Sequence, residues 1–255
     1  MKIISWNVNG IRSVFKKNFL ESLKGVAGDI VCLQEIKAQE SDFVQLFSSD
    51  LFQDAPSYRH VTNPAKRSGY SGVAVLGKTE PHRIDAKLGL ERFDKEGRII
   101  AVEYPGFTLL NVYLPHGDRT KVNLPYKLEA YDYLLRYLEK FADRNVVLAG
   151  DFNVARAKQD LARPEENEGN TMFTPEEREA LDNLVKLGFV DSFRQFHKEG
   201  GHYTWWPYAF NARERNLGWR IDYIFVSNSF VPKLRDAFIL SKVGGSDHCP
   251  IGIEV

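Results

Sequence analysis

Side chains capable of acid–base and metal chemistry stand where apolar stretches of this sequence end. The run 146–149 is apolar with two β-branched residues, which is typical of a strand buried on both faces. It stops at Gly150, and a carboxylate (Asp151) and a carboxamide (Asn153) follow two residues apart. Gly, Asp and Asn are also ordinary turn formers, so this stretch alone fits a polar turn as well as a site.

Other apolar runs end in the same manner, which favours a site over a turn. Asn7 follows the run that opens the chain, Glu35 follows 29–34, and Tyr113 closes 107–113. Taken singly, Glu35 also fits a solvated helix cap, and Tyr113 a half-buried strand residue. Their recurrence at strand ends predicts that these side chains converge.

A further pair, distant in sequence, predicts an Asp–His contact. Asp222 interrupts the apolar run 221–226, and a carboxylate buried in a strand needs a partner. His248 belongs to the stretch GGSDHCP just before the last strand, 251–255. A lone histidine is more often a satisfied core residue, but a histidine is the obvious partner for Asp222.

This set of residue types suits hydrolysis of a phosphodiester. Carboxylate and carboxamide oxygens without thiolates favour a hard cation, Mg²⁺ or Mn²⁺, over zinc. The attacking water must be deprotonated and held, which Asp151 and Asn153 could do. The cation and His248 would stabilise the charge that grows on the phosphate oxygens. A glycosidase could use Glu35 and Asp151 as paired carboxylates, but it would need neither Asn153 nor an Asp–His pair.

The stretch 202–220, HYTWWPYAFNARERNLGWR, interleaves aromatic and basic residues against one acid. Aromatics beside arginines suit a phosphate backbone with an exposed base or sugar. A hydrophobic mini-core with solvated arginines is the alternative. Lys66, Arg67, Arg156 and Lys158 could extend a basic face, although on their own they are only exposed charges.

Composition limits the class of protein. The chain has 255 residues, 43 % of them hydrophobic, and 34 basic residues balance 34 acidic ones. Zero net charge argues against a histone-like binder but permits a local basic face. Cys32 and Cys249 lack metal-ligand spacing, so we expect reduced thiols in an intracellular protein. No apolar run approaches about 18 residues, so we expect no signal peptide, no membrane span and a cytoplasmic location.

The apolar periodicity predicts more strands than helices. Strands are expected at 2–6, 29–34, 72–76, 98–103, 107–113, 146–149, 221–226 and 251–255. Helices are expected at 15–24, 41–52, 125–143 and from the capping box at Thr174 to Gly188. The polar stretch 59–71 is expected to be a loop. No repeat or linker divides the chain, so we expect one α/β domain over 1–255, with two sheets packed face to face and helices outside.

Several of these stretches together resemble one family. SWNVNG, LQEIK, GYSGVAV, NVYLP, GDFN, DLARP, GWRIDYIF and GSDHCPI occur here in the order of the exonuclease III family of apurinic/apyrimidinic endonucleases. That family belongs to the endonuclease/exonuclease/phosphatase superfamily. The resemblance implies a four-layer α/β sandwich of two packed mixed sheets flanked by helices, as in DNase I. It also implies Mg²⁺-dependent cleavage of duplex DNA 5′ to an abasic site, leaving a 3′-hydroxyl and a 5′-deoxyribose phosphate.

The resemblance assigns roles to the convergent side chains. It implies that Asp151 is the general base, that Asn153 orients the water, and that Asp222 orients His248. His248 and Tyr113 would contact the scissile phosphate. The metal ligands it implies, with Glu35 as the main one, are Asn7, Glu35, Asp151, Asn153 and Asp247.

The resemblance also implies a DNA-binding surface and action on abasic sites and 3′ ends. Nothing in the sequence suggests an obligate oligomer, so we expect a monomer, and we expect Mn²⁺ to be able to replace Mg²⁺. Trp205, Trp219 and Ile221 match a pocket for the extruded abasic sugar, with arginines on flanking phosphates. The implied DNA-binding residues are Lys37, Trp205, Phe210, Asn211, Arg213, Trp219, Arg220 and Ile221.

Three positions depart from the family pattern. His116 stands where relatives usually carry Asn or Gln beside the phosphate. Ala209 stands where some relatives insert a larger side chain into DNA, which makes Phe210 a candidate wedge. Trp205 replaces a commoner Phe, and its bulk could alter which nucleoside the pocket accepts.

Two alternatives use the same residues differently. A phosphatase or nuclease of the same superfamily could act on inositol phosphates, lipids or undamaged DNA, but the aromatic–arginine stretch argues against this. A non-catalytic DNA-binding module would not need the complete catalytic constellation.

Overall fold

The computed structural model describes residues 1–17, 19–47 and 58–255. Its strands are β1 (Lys2–Asn7), β2 (Ile30–Gln34), β3 (Arg59–Asn63), β4 (Val73–Gly77), β5 (Arg83–Asp85), β6 (Ile99–Tyr104), β7 (Phe107–Tyr113), β8 (Val146–Asp151), β9 (Phe189–Asp191), β10 (Asp222–Ser227), β11 (Asp236–Ile239) and β12 (Ile251–Glu254). Its α-helices are α1 (Ile11–Phe15), α2 (Phe19–Val26), α3 (Glu40–Phe47), α4 (Glu91–Lys95), α5 (Leu124–Leu138), α6 (Pro164–Asn167), α7 (Pro175–Lys186) and α8 (Ser192–Phe196).

The strands form two mixed sheets. The first has the order β11-β12-β1-β2-β4-β3, and the second has the order β5-β6-β7-β8-β10-β9. Within the sheets β1 runs parallel to β2 and β7 parallel to β8, whereas the other paired strands are antiparallel. The parallel pairs lie near the middle of each sheet, where the site residues are found.

Strand periodicity sorts the apolar side chains into separate layers. Ile3 joins a core between the two sheets, whereas Ile4 joins a core beneath the helices, because successive strand residues face opposite sides. The helices α1, α2 and α3 cover the outer face of the first sheet, and α5 and α7 cover that of the second. The prediction of a four-layer sandwich is therefore confirmed. In the part of the chain described, no helix has the length and apolar character to cross a membrane.

Thr174 and Glu177 form the capping box that was expected at the start of α7. The Thr174 hydroxyl accepts the backbone N–H of Glu177 at 3.2 Å, and the Glu177 carboxylate accepts that of Thr174 at 3.0 Å. Glu177 is fully buried, and its carboxylate also accepts a hydrogen bond from the ammonium group of Lys127 on α5. The cap thus ties α7 to the neighbouring helix.

Some expected elements were wrong. The stretch 59–71 begins with an edge strand, since Val61 packs between the sheets while its polar neighbours face outward. The helix expected at 15–24 is two helices, α1 and α2, and residue 18 between them lies outside the described residues. The helix expected at 41–52 is present as α3 up to Phe47, and the rest of that prediction lies outside the described residues, as do all of residues 48–57. The short edge strands β5, β9 and β11 were not predicted.

Candidate active site

Strand register places Asp151 between two other site residues. Asp151 ends β8 and pairs with Tyr113 of β7 on one side and with Asp222 of β10 on the other. Gly150 permits this packing, because a Cβ there would lie 1.9 Å from the carbonyl oxygen of Val112. The glycine that precedes the carboxylate is therefore required by the close approach of β7 to β8.

The two sheets meet through Asn7. Its Nδ2 donates to Oδ2 of Asp151 at 2.8 Å and to Oε2 of Glu35 at 3.3 Å. Glu35 follows β2 with a left-handed φ of 53°, a conformation that a non-glycine residue rarely adopts outside functional sites and tight turns. One carboxamide from the first sheet thus joins the carboxylates of both sheets.

Asp151 has a carboxylate suited to proton transfer. Its Oδ1 accepts the backbone N–H of Asn153 at 2.8 Å, and its side chain is almost fully buried. Burial and the charge of Asp222 raise the pKa of Asp151 to about 7, against the opposing effects of His248 and the hydrogen bonds from Asn7 and Asn153. A carboxylate with this pKa can take up a proton near neutral pH.

Asp222 and His248 form the predicted pair. Nδ1 of His248 lies 2.9 Å from Oδ2 of Asp222, and Nε2 lies 3.9 Å from Oδ2 of Asp151. Burial lowers the pKa of His248, but the carboxylates of Asp222, Asp151 and Asp247 outweigh it and raise the pKa to about 10. The imidazole is therefore cationic at neutral pH.

Asp247 connects this centre to an adjoining cavity. Its Oδ2 accepts the indole N–H of Trp205 at 3.1 Å, and its Oδ1 accepts Nδ2 of Asn9 at 2.9 Å. Trp205 also forms isolated β-bridges with Trp219 and with His248. The tryptophan is thereby fixed against the catalytic centre.

The cavity beside Trp205 has a volume of about 440 Å³. Its lining residues are His116, Arg119, Asn167, Asn170, Thr171, Met172, Trp205, Pro207 and Trp219. Ile221 lies behind this wall, only 1 % exposed, and packs in one cluster with both tryptophans. The structure thus brings the predicted pocket residues together, with Ile221 as support for the two rings.

Residues 4–248 match the model of the Endonuclease/Exonuclease/phosphatase family. The chain belongs to this family. It is 43 % identical to an exodeoxyribonuclease of Bacillus subtilis, covering 100 % of this chain and 99 % of that protein. It is 42 % identical to the DNA repair nuclease APEX1 of Danio rerio, covering 98 % of this chain and 81 % of that protein.

The fold agrees with a solved structure of this family. An AP endonuclease from Archaeoglobus fulgidus superposes with a TM-score of 0.86 at 30 % identity, covering 99 % of this chain and 98 % of that one. The resemblance to exonuclease III-type endonucleases is confirmed, and the chain is a hydrolytic enzyme of this family.

The side chains of this family member fit a hard cation near Glu35. Carboxylate and carboxamide groups from Glu35, Asn7 and Asp151 meet there, whereas Cys32 and Cys249 lie in apolar clusters. Carboxylate oxygens are the donors that Mg²⁺ and Mn²⁺ prefer, and Asn7 joins these two carboxylates through its amide nitrogen. Next to them Asp151, Asp222 and His248 form a buried cluster whose ligand atoms lie within 4.8 Å of one another.

Lys37, which was predicted to bind DNA, lies within the catalytic centre itself. Its ammonium group is 2.9 Å from Oε1 of Glu35 and donates to Oδ1 of Asn9 at 2.6 Å. It therefore balances the charge of the principal carboxylate, and its contact with DNA stays a prediction.

Arg220 corrects the sequence analysis. It is 2 % exposed, and its guanidinium donates to Asp160 at 2.8 Å and to Asp191 at 2.7 Å. A buried guanidinium with two carboxylate partners cannot contact a DNA phosphate, so that prediction was wrong. Arg213 is also engaged within the protein, since it donates to the backbone carbonyls of Ser241, Val243 and Ser246. It holds the loop that carries His248.

Phe210 and Asn211, in contrast to the buried Arg220, are exposed to solvent. Phe210 is 85 % exposed, and both residues have left-handed backbone conformations, with φ of 61° and 49°. The ring of Phe210 is therefore presented to solvent, and its role as a wedge in DNA stays a prediction.

The remaining basic residues that the sequence suggested for a basic face differ in whether they form ion pairs. Arg156 is paired with Asp182 at 2.8 Å, and Lys158 lies 3.8 Å from Glu165. Lys66 and Arg67 are exposed and line a cavity of about 480 Å³. Its remaining lining residues are Ala65, Tyr70, Glu91, Arg92, Lys95 and Glu96.

Residues that position the site were missed by the sequence analysis. Arg98 donates to the carbonyl oxygen of Tyr113 at 3.0 Å, and its guanidinium lies 4.6 Å from the centre of that ring. Thr204 accepts the backbone N–H groups of Ile221 and Asp222 on its hydroxyl. Asn9 bridges Lys37 and Asp247. Among these three residues, only Asn9 had a signal in the sequence, since it belongs to the motif NVNG. The contacts of Arg98 and Thr204 depend on tertiary packing.

Proposed function

We propose that this enzyme is a Mg²⁺-dependent DNA repair nuclease that cuts duplex DNA on the 5′ side of an abasic site, leaving a 3′-hydroxyl and a 5′-deoxyribose phosphate. One observation carries the proposal. The cavity walled by Trp205 and Trp219 adjoins the catalytic centre, with Asp247 bonded to the indole of Trp205 and followed directly by His248. Similarity to proteins named as an exodeoxyribonuclease and a DNA repair nuclease supports it.

The cavity suits a sugar without a base. An abasic sugar has lost stacking and pairing, so its extrusion costs less than the few kcal/mol needed to flip a normal nucleotide. The two tryptophans narrow the cavity, and His116, Asn170 and Thr171 supply polar groups at its wall. Because the abasic sugar is the cheaper of the two to extrude, such a cavity beside the catalytic centre would favour abasic sites over intact nucleotides.

Asp151 is the base in the proposed reaction. Its carboxylate accepts a proton from the attacking water, as its pKa of about 7 permits. Asn7 and the backbone N–H of Asn153 hold both of its oxygens in place. Glu35, with Asn7 beside it, would hold the cation, which when bound supplies positive charge that stabilises the scissile phosphate. Asn153 and Asp247 are proposed as further ligands.

His248 and Tyr113 act on the phosphate. Because Nδ1 of His248 faces Asp222, its Nε2–H is directed toward Asp151 and the space in front of it. The protonated ring donates there to a phosphate oxygen whose charge grows in the transition state. Burial and the charge of Glu35 raise the pKa of Tyr113 well above its usual value, so its hydroxyl stays a hydrogen-bond donor.

The same centre would act at 3′ ends, because removal of a 3′ nucleotide or a 3′ blocking group is hydrolysis of the same phosphate linkage. The proposed catalytic groups form a complete centre within one chain, so we propose that the enzyme acts as a monomer. We also propose that it works in the cytoplasm. We also propose that residues 1–255 act as a single domain.

The experiment compares duplexes with and without an abasic site, each with Mg²⁺ and with excess EDTA. We expect rapid cleavage of the abasic duplex with Mg²⁺ only. Equal cleavage of both duplexes would favour a nuclease for undamaged DNA, and no cleavage of either would favour another phosphate ester as substrate.

A further inference from the structure

His197, Glu199 and His202 form a second cluster of metal-ligand side chains. In residues 1–17, 19–47 and 58–255, only this cluster and the buried Asp151–Asp222–His248 cluster bring three such ligand atoms within 4.8 Å of one another. The three residues lie within the short sequence HKEGGH, which follows α8 directly. None of them belongs to the catalytic centre.

The ring of His197 is oriented as a metal ligand would be. Its Nε2 lies 3.0 Å from the carbonyl oxygen of Ala237, and a carbonyl only accepts, so the proton is on Nε2. In the neutral ring, which is the form that binds a metal, Nδ1 then carries the lone pair, and it lies 3.8 Å from Oε1 of Glu199. A backbone carbonyl that fixes the far nitrogen is the usual support of a histidine bound to a metal.

Phe193 holds both imidazoles in position. The ring of His197 stacks on Phe193 with 4.4 Å between centroids and 21° between planes, and the ring of His202 meets Phe193 edge-on at 5.4 Å. Nε2 of His202 lies 3.0 Å from Oε1 of Glu199. Two of the three ligands are thus held by contacts that do not depend on a bound ion.

The cluster is open and carries uncompensated negative charge. The three side chains are 35 %, 64 % and 39 % exposed in chain order. Within the described part of the chain, the Glu199 carboxylate forms ion pairs with these two histidines alone, so no Lys or Arg neutralises it. A cation can therefore reach the carboxylate from solvent without displacing a basic side chain.

We propose that His197, Glu199 and His202 bind a divalent transition metal of the zinc type, with the remaining coordination position open to solvent. Zinc lies about 2.0–2.2 Å from nitrogen and oxygen ligands, which puts neighbouring ligand atoms roughly 3.3 Å apart in a tetrahedron. The observed separations of 3.0 and 3.8 Å lie on either side of that value, so small side-chain rotations complete the site. Two imidazoles select zinc, copper or nickel over Mg²⁺, which distinguishes this site from the catalytic one.

A bound metal would brace the segment that supports the catalytic pair. His197 directly follows α8, whereas His202 lies two residues before Thr204, whose hydroxyl accepts the backbone N–H of Asp222. Joining the two histidines closes the intervening turn and stabilises the native state, because a ligand that binds only the folded chain raises its stability. The metal would act on stability and take no part in the chemistry.

The test is titration of the metal-free full chain with Zn²⁺ by calorimetry, in excess Mg²⁺. To exclude zinc at the catalytic cluster, the titration is made in wild type and in His248→Asn. We expect one zinc site to persist in His248→Asn. We expect His202→Ala, His197→Ala and Glu199→Gln each to lower the zinc affinity of this site by at least about tenfold. Groups that only orient a metal ligand already contribute that much to affinity. His82→Ala, an exposed histidine elsewhere, is the matched control.

Thermal unfolding supplies a second readout that does not depend on activity. Zn²⁺ should raise the unfolding midpoint of wild type, His248→Asn and His82→Ala by more than it raises that of His202→Ala or Glu199→Gln at the same zinc concentration. Equal zinc affinity in wild type and the three ligand variants would overturn the proposal. The proposal would also be overturned if His248→Asn lost all zinc binding while the three ligand variants kept theirs, since the catalytic cluster would then be the zinc site.

Discussion

Oδ2 of Asp222 lies 2.9 Å from Nδ1 of His248, and this contact joins β10 to the loop before β12. Both side chains are buried, and the contact directs the other imidazole nitrogen toward Asp151. A cationic ring is thereby held at a fixed angle beside the catalytic carboxylate. The proposed chemistry depends on this orientation.

Replacing Asp222 with Asn should impair turnover far more than folding. The amide cannot favour the cationic ring, and lost support for a developing charge costs on the order of 10²-fold or more in rate. The measurement is single-turnover cleavage of an abasic duplex by Asp222→Asn, His248→Asn and the double variant. If the two residues act as a unit, the double variant is about as slow as the slower single one. Fully additive losses would show that the pair does not work together.

Glu35→Gln should nearly abolish activity and raise the Mg²⁺ concentration needed for half-maximal rate. The substitution keeps the shape of the side chain but removes the charge that would hold the cation. Glu129→Gln, at an exposed position on α5, is the control for a surface charge change. A Glu35→Gln enzyme with unchanged Mg²⁺ dependence would remove Glu35 from the metal site.

Trp219→Ala should lower abasic cleavage more than degradation of an undamaged 3′ end. Loss of the indole enlarges the cavity and removes a wall that excludes intact nucleotides, while Glu35 and Asp151 are untouched. Trp219→Phe should retain part of the selectivity. The quantity to measure is the ratio of the two rates in wild type and each variant. An unchanged ratio, with both rates lowered equally, would make Trp219 a structural residue only.

Asp160→Asn should destabilise the fold at neutral pH and less so in acid. Burial raises the pKa of Asp160, but Arg220 and Arg194 outweigh it, so the folded pKa lies below the unfolded value of about 3.9. The ionised carboxylate thus contributes stability above about pH 4, and this contribution fades as pH falls through the folded pKa. Breaking a buried ion pair costs on the order of 3 kcal/mol.

The measurement for Asp160→Asn is urea unfolding near neutral pH and at about pH 3. Asp132→Asn, an exposed carboxylate on α5, serves as the comparison. A stability difference between wild type and Asp160→Asn that is the same at both pH values would show that the Arg220 cluster does not titrate as described.

The strand-end residues of the catalytic centre could be predicted from sequence. Asn7, Glu35 and Asp151 each follow a continuous apolar run, and central strands of a packed sheet have that pattern because both faces are buried. The Asp222–His248 contact was predictable for a related reason, since a carboxylate within an apolar strand requires a partner.

Arg220 shows where the sequence was insufficient. The sequence pattern of an arginine beside aromatics is the same whether the arginine contacts DNA or a buried carboxylate. Asp160 and Asp191 come close to Arg220 only in the folded chain. The edge strand Arg59–Asn63 was missed because only Val61 among its residues is apolar, and pairing with β4 supplies the remaining order.

The most direct test of the proposed function is the chemistry of the ends left in a labelled duplex with a single abasic site. With Mg²⁺ we expect one cut on the 5′ side of the site, a 3′-hydroxyl that a DNA polymerase extends at once, and no cut in excess EDTA. A cut on the 3′ side, leaving an unsaturated aldehyde that blocks extension and forming equally in EDTA, would contradict hydrolysis by this centre.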